Sequence, residues 1–217
     1  NMFRALNWTL PFLKLDIDKN MSVKVGITGG IGAGKSLVAN IFRTFGIPVY
    51  NSDTEAKRLM NEDPYLKEQI INLFGPKAYT NNTLNRTYLN EVVFKNHENL
   101  NRMNNLVHPA VIKDYNSWLT KYIEKSMTIK EAALLFESNS YMDLDYTILV
   151  SAPKSIRIGR VLLRDANRSK EDIENIIEKQ MSESRKKKLS DFIIINDGKM
   201  MVIPQVLKIY ESLTHNQ

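Results

Sequence analysis

A glycine-rich stretch near the start of the chain is the feature that most constrains its fold. Residues 29–36 have the sequence GGIGAGKS, which matches the pattern G-x-x-x-x-G-K-[ST] in full. The stretch follows the apolar segment Val23–Thr28 and precedes a segment, 37–42, whose apolar residues have helical spacing. A strand, a phosphate-binding loop and a helix in this order predict a P-loop within an α/β sheet. The alternative is a glycine-rich structural turn.

Each part of this motif has a chemical task on a polyphosphate. Glycines let successive backbone N–H groups converge on phosphate oxygens, and the following helix presents its positive N-terminal end. Lys35 is predicted to reach the β- and γ-phosphates and the Ser36 hydroxyl to bind Mg²⁺. The residues predicted to bind a nucleoside triphosphate here are Gly29, Gly30, Ile31, Gly32, Ala33, Gly34, Lys35, Ser36 and Leu37.

The composition excludes several other classes of site. The 217 residues contain no cysteine, which excludes disulfides and thiolate metal sites and suits a reducing, cytoplasmic location. The three histidines have no zinc-binding spacing, and no apolar run approaches the roughly 20 residues that span a bilayer. We expect residues 1–20 to form a leader outside a single domain over 21–217. The sequence leaves the oligomeric state open.

Positive charge is concentrated in the segment 154–188, although the formal net charge of the chain is only +6. Such a segment is typical of a nucleic-acid surface, of a solvated helix face, or of a kinase that neutralises two polyanionic substrates. The basic residues lack interleaved aromatic side chains for base stacking, and the phosphate-binding motif favours the kinase. We therefore expect neither nucleic acid nor a membrane among the partners.

The periodicity of apolar residues predicts alternating strands and helices, hence a mostly parallel sheet flanked by helices. An inserted helical block over 64–125 is expected to form a substrate subdomain. Two basic helices are expected to form a lid over 155–188 that little apolar surface anchors. The predicted strands are Val23–Thr28, 47–50, 128–136, Tyr146–Ser151 and Phe192–Ile195, and the helices after the first are 55–60, 65–74, 88–94, 100–107, 110–123, 156–165, 171–181 and 201–213.

Several stretches resemble the motifs of one family. Residues 26–36 read GITGGIGAGKS, 107–111 read VHPAV and 134–137 read LLFE. In their order along the chain these stretches resemble the dephospho-coenzyme A kinases. Further matching elements lie at 52–57, 92–94, 160–165, 180–181 and 191–198.

The resemblance extends from about residue 23 to the C-terminus, with a few departures. Leu37 replaces the common Thr or Ser, Ala133 replaces a frequent proline, and Arg157 stands where the lid usually has glutamine. The family implies phosphorylation of the ribose 3′-hydroxyl of dephospho-coenzyme A by ATP, with Mg²⁺. ATP and dephospho-coenzyme A are thus the expected partners.

Three residues are predicted to be catalytic: Lys35, Asp53 and Arg160. Asp53 follows the second predicted strand, at the sheet edge where ligands of such folds lie, so its carboxylate is predicted to orient the attacking hydroxyl. The alternative for Asp53 is a helix N-cap formed with Ser52. Arg160 and Arg164 are four residues apart, on one helix face from which both would reach phosphates; the alternative is a solvated surface.

Three other polar residues have weaker predictions. By resemblance alone, Asn196 is placed near the adenine, with a role in a turn as the alternative. Glu137, at a predicted strand end, would either hold Mg²⁺ through water or be structural. His108 before Pro109 is predicted to start a helix after a turn.

Two rival functions remain open from the sequence. One is another P-loop kinase, acting on a nucleoside monophosphate or a small alcohol. The other is a basic P-loop protein that binds nucleic acid without catalysing a reaction, and its binding would weaken steeply with salt.

Overall fold

The computed structural model describes residues 22–93 and 96–214, so the expected leader over 1–20 and the end of the predicted helix 88–94 lie outside the described residues. In chain order the elements are β1 Val23–Thr28, α1 Lys35–Thr44, β2 Val49–Asn51, α2 Ser52–Glu62, α3 Pro64–Phe74, a 3-10 turn Pro76–Ala78, β3 Tyr79–Thr80, β4 Thr83–Leu84, α4 Arg86–Val92, α5 His97–Thr120, β5 Met127–Glu131, β6 Tyr146–Ser151, α6 Lys154–Arg164, α7 Lys170–Lys179, α8 Glu183–Leu189, β7 Phe192–Ile195 and α9 Val202–Thr214.

Five of these strands form one sheet in the order β2-β5-β1-β6-β7, and every neighbouring pair is parallel. The central strand β1 pairs with β5 on one side, Val25 opposite Ile129, and with β6 on the other, Val25 opposite Tyr146. Because all five strands run the same way, their carboxyl ends meet at one edge of the sheet. The predicted α/β class with a mostly parallel sheet is confirmed.

The main core lies between this sheet and the helices α1 and α9. The apolar residues of α1 recur at helical spacing, so Val38, Ala39 and Phe42 share one buried face. A second core joins α2 to α5. Its buried members are Tyr50, Leu59, Leu66, Ile70, Phe74, Ala78, Leu89, Val93, Met103, Val107, Val111 and Tyr115.

One long helix replaces two predicted short ones. The sequence predicted helices at 100–107 and 110–123, broken before Pro109, but α5 runs from His97 to Thr120 with Pro109 inside it. Four apolar residues spaced four apart, Met103, Val107, Val111 and Tyr115, are all buried on the same face. Their burial outweighs the roughly 3 kcal/mol cost of an internal proline. The prediction that His108 starts a helix is therefore wrong.

The sequence predicted that the block 64–125 is helical throughout, but the structure contains strands there. A short antiparallel hairpin forms from β3 and β4, with Tyr79 opposite Leu84. Its two turn residues, Asn81 and Asn82, have φ angles of 50° and 65°, the left-handed conformation that asparagine tolerates and that tight hairpins require. The Asn-Asn pair was the missed signal.

The strand predicted over 128–136 also ends earlier than expected. The apolar run continues to Phe136, yet β5 ends at Glu131, and the chain then turns. Glu137 therefore does not lie at a strand end, and Glu131 takes that place. No helix among residues 22–93 and 96–214 has the length and apolar character needed to cross a bilayer.

Phe42 tests how far the main core stabilises the fold. It is fully buried and meets Phe45 edge to face, with ring centroids 6.4 Å apart. Phe42→Ala is expected to lower the free energy of unfolding by about 3–5 kcal/mol because it leaves a cavity. The control Leu163→Ala, at a side chain that is 91% exposed, should change it by less than about 0.5 kcal/mol. Urea denaturation measures both, and equal losses would contradict this account.

Candidate functional site

The phosphate-binding loop lies where β1 ends and α1 begins. Gly34 is the N-cap of α1, has a φ of 97° and provides no side-chain hydrogen bond to the helix. Gly32 also has a left-handed φ, of 75°, which a residue with a Cβ adopts only with strain. The loop thus leaves the N-terminal end of α1 uncapped by a side chain, the arrangement that favours an anion.

Asn196 fixes the loop to the last strand. Its Nδ2 donates to the carbonyl of Ala33 at 2.8 Å, and its Oδ1 accepts from Arg160 Nη2 at 3.2 Å. A methyl group built on Gly34 would lie only 2.2 Å from Asn196 Nδ2. Asn196 is buried, and its two hydrogen bonds connect Arg160, the predicted lid arginine, to the P-loop.

Lys35 lies among groups of both charges. Its Nζ donates to the carbonyl oxygen of Gly29 at 3.0 Å. Partial burial lowers the pKa of Lys35, the charges of Asp53 and Glu131 act against that shift, and those of Lys186 and Arg164 reinforce it. The structure therefore places Asp53 and Arg164 within electrostatic range of the predicted phosphate-binding lysine.

Three side chains beside the P-loop, those of Ser36, Asn51 and Glu131, are joined by hydrogen bonds. The Ser36 hydroxyl donates to Glu131 Oε1 at 2.7 Å, and Asn51 Nδ2 donates to Glu131 Oε2 at 2.7 Å. Glu131 is 3% exposed and ends β5, while Asn51 ends β2. Neither residue was predicted from the sequence, because one predicted strand stopped at residue 50 and the other ran past Glu131 to residue 136. A strand end at 131 would have placed this carboxylate beside the loop.

The helix cap before Asp53 differs from the predicted one. The side chain of Asn51, not of Ser52 or Asp53, accepts the hydrogen bond from Thr54 N, at 2.9 Å. Asp53 therefore occupies the first turn of α2 without serving as its cap, and it is exposed. The capping alternative for Asp53 is wrong.

The basic segment packs against the P-loop through apolar side chains. Ile158, Val161 and Ile173 form a buried cluster with Ile31 of the loop and Ile177. The expectation that little apolar surface anchors this segment is wrong. The segment contains three helices, α6, α7 and α8, where two were predicted. The additional helix α8 is capped by Ser182.

Polar contacts also join this segment to the loop. Gln180 Oε1 accepts from the Ile31 backbone N–H at 3.1 Å. Arg157 is 8% exposed, and a methyl group built on Gly30 would lie 1.7 Å from its Nη1. Leu37, by contrast, is half exposed on α1.

Glu137 and His108 were also singled out from the sequence, and the structure places them in other surroundings. Glu137 forms an ion pair with the buried Lys186 at 2.9 Å and accepts from Met181 N at 2.9 Å. His108 lies inside α5, where burial, followed by the charge of Lys130, lowers its pKa. Within the described ranges, no group of three or more His, Asp or Glu side chains could hold a metal ion by itself.

The parallel sheet, the P-loop between β1 and α1, and the polar side chains at the same sheet edge define a kinase of the P-loop class. The family model for dephospho-CoA kinase (CoaE) matches residues 23–201. The dephospho-CoA kinases of Bacteroides fragilis and Porphyromonas gingivalis are 35% and 34% identical, over 87% and 88% of this chain and 92% and 94% of theirs. The chain belongs to the dephospho-CoA kinase family.

Solved structures agree with this membership. TT1252 from Thermus thermophilus superposes with a TM-score of 0.80 at 32% identity, covering 88% of this chain and 97% of its own. A dephospho-CoA kinase from Campylobacter jejuni gives a TM-score of 0.67 at 26% identity, covering 91% and 100%.

Gly34 tests whether the loop needs its close contact with Asn196. Gly34→Ala is expected to raise the Kd for ATP by about tenfold or more, since a left-handed φ and a displaced amide each cost free energy. The control Gly159→Ala lies on α6 with nothing within 4 Å of the added methyl, and it should leave ATP affinity within about twofold. Calorimetric titration of both variants measures this, and similar effects of the two would count against the contact.

Proposed function

We propose that this chain transfers the γ-phosphoryl group of ATP to the ribose 3′-hydroxyl of dephospho-coenzyme A, giving ADP and coenzyme A. Membership of the dephospho-CoA kinase family supports the proposal. The observation that carries it is the arrangement at one sheet edge, where Lys35 and Ser36 start α1, Ser36 donates to Glu131 at 2.7 Å, and Asp53 lies in the first turn of α2. A cation for phosphates and a carboxylate for a hydroxyl are what such a transfer requires.

The nucleotide would be held by the loop from Gly29 to Leu37. Backbone N–H groups of the loop and of the start of α1 would surround the inner phosphates. Lys35 would neutralise charge on the β- and γ-phosphates, which is the main form of catalysis available to phosphoryl transfer.

The acceptor would be oriented by Asp53. Its carboxylate is exposed at the start of α2 and is not used as a cap. It would accept the hydrogen bond of the 3′-hydroxyl, align that oxygen with the γ-phosphorus and take up the proton. The block over 64–125, which shares a buried core with α2, would provide the remaining surface for the acceptor.

The residues beside the loop fit a magnesium ion. Mg²⁺ prefers oxygen ligands, and a hydroxyl and a carboxylate already meet where Ser36 contacts Glu131 at 2.7 Å. Ser36 would hold the ion and Glu131 would orient Ser36. When bound, Mg²⁺ neutralises charge on the β- and γ-phosphates.

Arginines of the lid over 155–188 would complete the site. The buried Nη1 of Arg160 has no hydrogen-bond partner within residues 22–93 and 96–214, and this donor supports a role on a phosphate oxygen. Arg164 acts on the pKa of Lys35 and is proposed to contact the nucleotide as well. Asn196 would position Arg160 through their hydrogen bond. A cytoplasmic location is part of the same proposal, since a chain without cysteine suits a reducing compartment.

An acceptor panel tests the proposed reaction. ADP release with ATP and dephospho-coenzyme A is expected to exceed release with nucleoside monophosphates or small alcohols. Lys35→Ala should lower turnover by at least about a hundredfold, because it removes one electrostatic stabiliser of the transferred group. Turnover of a monophosphate without turnover of dephospho-coenzyme A would overturn the proposal.

Asp53→Asn tests the role of the carboxylate. It preserves shape but removes the basic oxygen, so kcat should fall by about a hundredfold or more, while the Kd for ATP stays near that of the unmodified protein. Asp63→Asn is the matched control, because Asp63 caps α3 and asparagine caps equally well. Steady-state kinetics with thermal melts measure both. A lower melting temperature with intact kcat would show that Asp53 is structural.

A further inference from the structure

Arg157 is held against the P-loop by both its backbone and its side chain. A methyl group on Gly32 would lie 2.4 Å from the carbonyl oxygen of Arg157, and one on Gly30 would lie 1.7 Å from Nη1. The first turn of α6 therefore packs directly on the loop. The two glycines are what allow this approach, because any Cβ would occupy the same space.

The buried Nε–H of Arg157 has no hydrogen-bond acceptor among the described residues, and the whole residue is only 8% exposed. No acidic group in 22–93 or 96–214 forms an ion pair with the guanidinium. The other buried cation nearby, Lys186, is paired with Glu137 at 2.9 Å. A largely buried cation without a counter-ion is destabilising, so the position of Arg157 favours binding of an anion from outside the chain.

The surroundings of Gly30 indicate which anion this is. Lys35 Nζ donates to Gly29 O at 3.0 Å and reaches Gly30 O at 3.5 Å, so Arg157 and Lys35 lie around the same residue. The lysine of a P-loop serves the outer phosphates, whereas the N-terminal end of the helix serves the inner ones. Gly30 lies toward the start of the loop, away from the start of α1.

The guanidinium also has room to reorient. A cavity of about 60 Å³ lies beside it, lined among others by Gly30, Gln180 and Lys186. This volume holds only a few water molecules. This cavity is the space into which the N–H groups of Arg157 would turn toward a phosphate oxygen.

We propose that Arg157 binds the terminal phosphoryl group of the nucleoside triphosphate and so makes the site selective for a triphosphate over a diphosphate. The inference rests on the proposed nucleotide-binding function, and it adds a residue at a position where the family usually has glutamine. A guanidinium adds a full charge and a planar fork of donors that a glutamine lacks. The product diphosphate makes no such contact and is released more easily.

The test compares Mg-ATP with Mg-ADP by calorimetric titration in the absence of any acceptor. Arg157→Gln is expected to raise the Kd for ATP by about tenfold or more, the loss of one charge-assisted hydrogen bond, and to leave the Kd for ADP within about twofold. Arg168→Gln is the matched control. It makes the same change in the same segment, but at an exposed arginine paired with Asp165 at 2.7 Å, and neither Kd should change.

Melting temperatures separate this role from a structural one. Removing an unpaired buried cation should leave the melting temperature without nucleotide unchanged or higher. Equal weakening of ATP and ADP, no change for either, or a lower melting temperature without nucleotide would each overturn the proposal. Should the chain bind ATP with this selectivity but fail to phosphorylate dephospho-coenzyme A, the proposed function fails while the role of Arg157 stands.

Discussion

The parallel pairing of β1 with β5 and β6 determines where every polar group of the site can lie. Val25 is opposite Ile129 on one side and Tyr146 on the other, so the strands end at similar heights. The P-loop leaves the sheet at that edge, Glu131 ends β5, and Asn51 ends β2. A slip in register would move the Glu131 carboxylate away from Ser36 and break both of its hydrogen bonds. The buried apolar strands that fix this register therefore also position the site.

The second layer of the site comes from the segment 155–188, which is attached by both apolar and polar contacts. Ile31 of the P-loop is packed into the cluster of Ile158, Val161 and Ile173, and its N–H is bonded to Gln180. Arg160 is connected to the loop through Asn196. Any movement of this segment as a lid would have to break an apolar contact as well as hydrogen bonds, which costs free energy.

Much of the fold followed from local patterns, and the exceptions have physical causes. The bounds of β1, β6 and β7 were predicted correctly, because each is a short apolar run enclosed by polar or turn residues. The end of β5 was not, since Leu135 and Phe136 are buried in a turn rather than in a strand. The loop glycines, Lys35 and Ser36 were found from their spacing. Asn51, Glu131 and the packing of Arg157 depend on neighbouring strands and helices, which single-sequence periodicity does not reveal.

The hydrogen bond between Gln180 and Ile31 has a consequence for how an anion enters the loop. The Ile31 N–H has a neutral amide oxygen as its acceptor, so a ligand that takes this donor must displace the amide. The net gain is then the difference between a charge-assisted hydrogen bond and a neutral one. A weakly basic anion gains little from that exchange, whereas an oxygen of a doubly charged phosphate group gains more. The Ile31 N–H is therefore a poorer donor site for the small monovalent anions of a salt solution than for a phosphate.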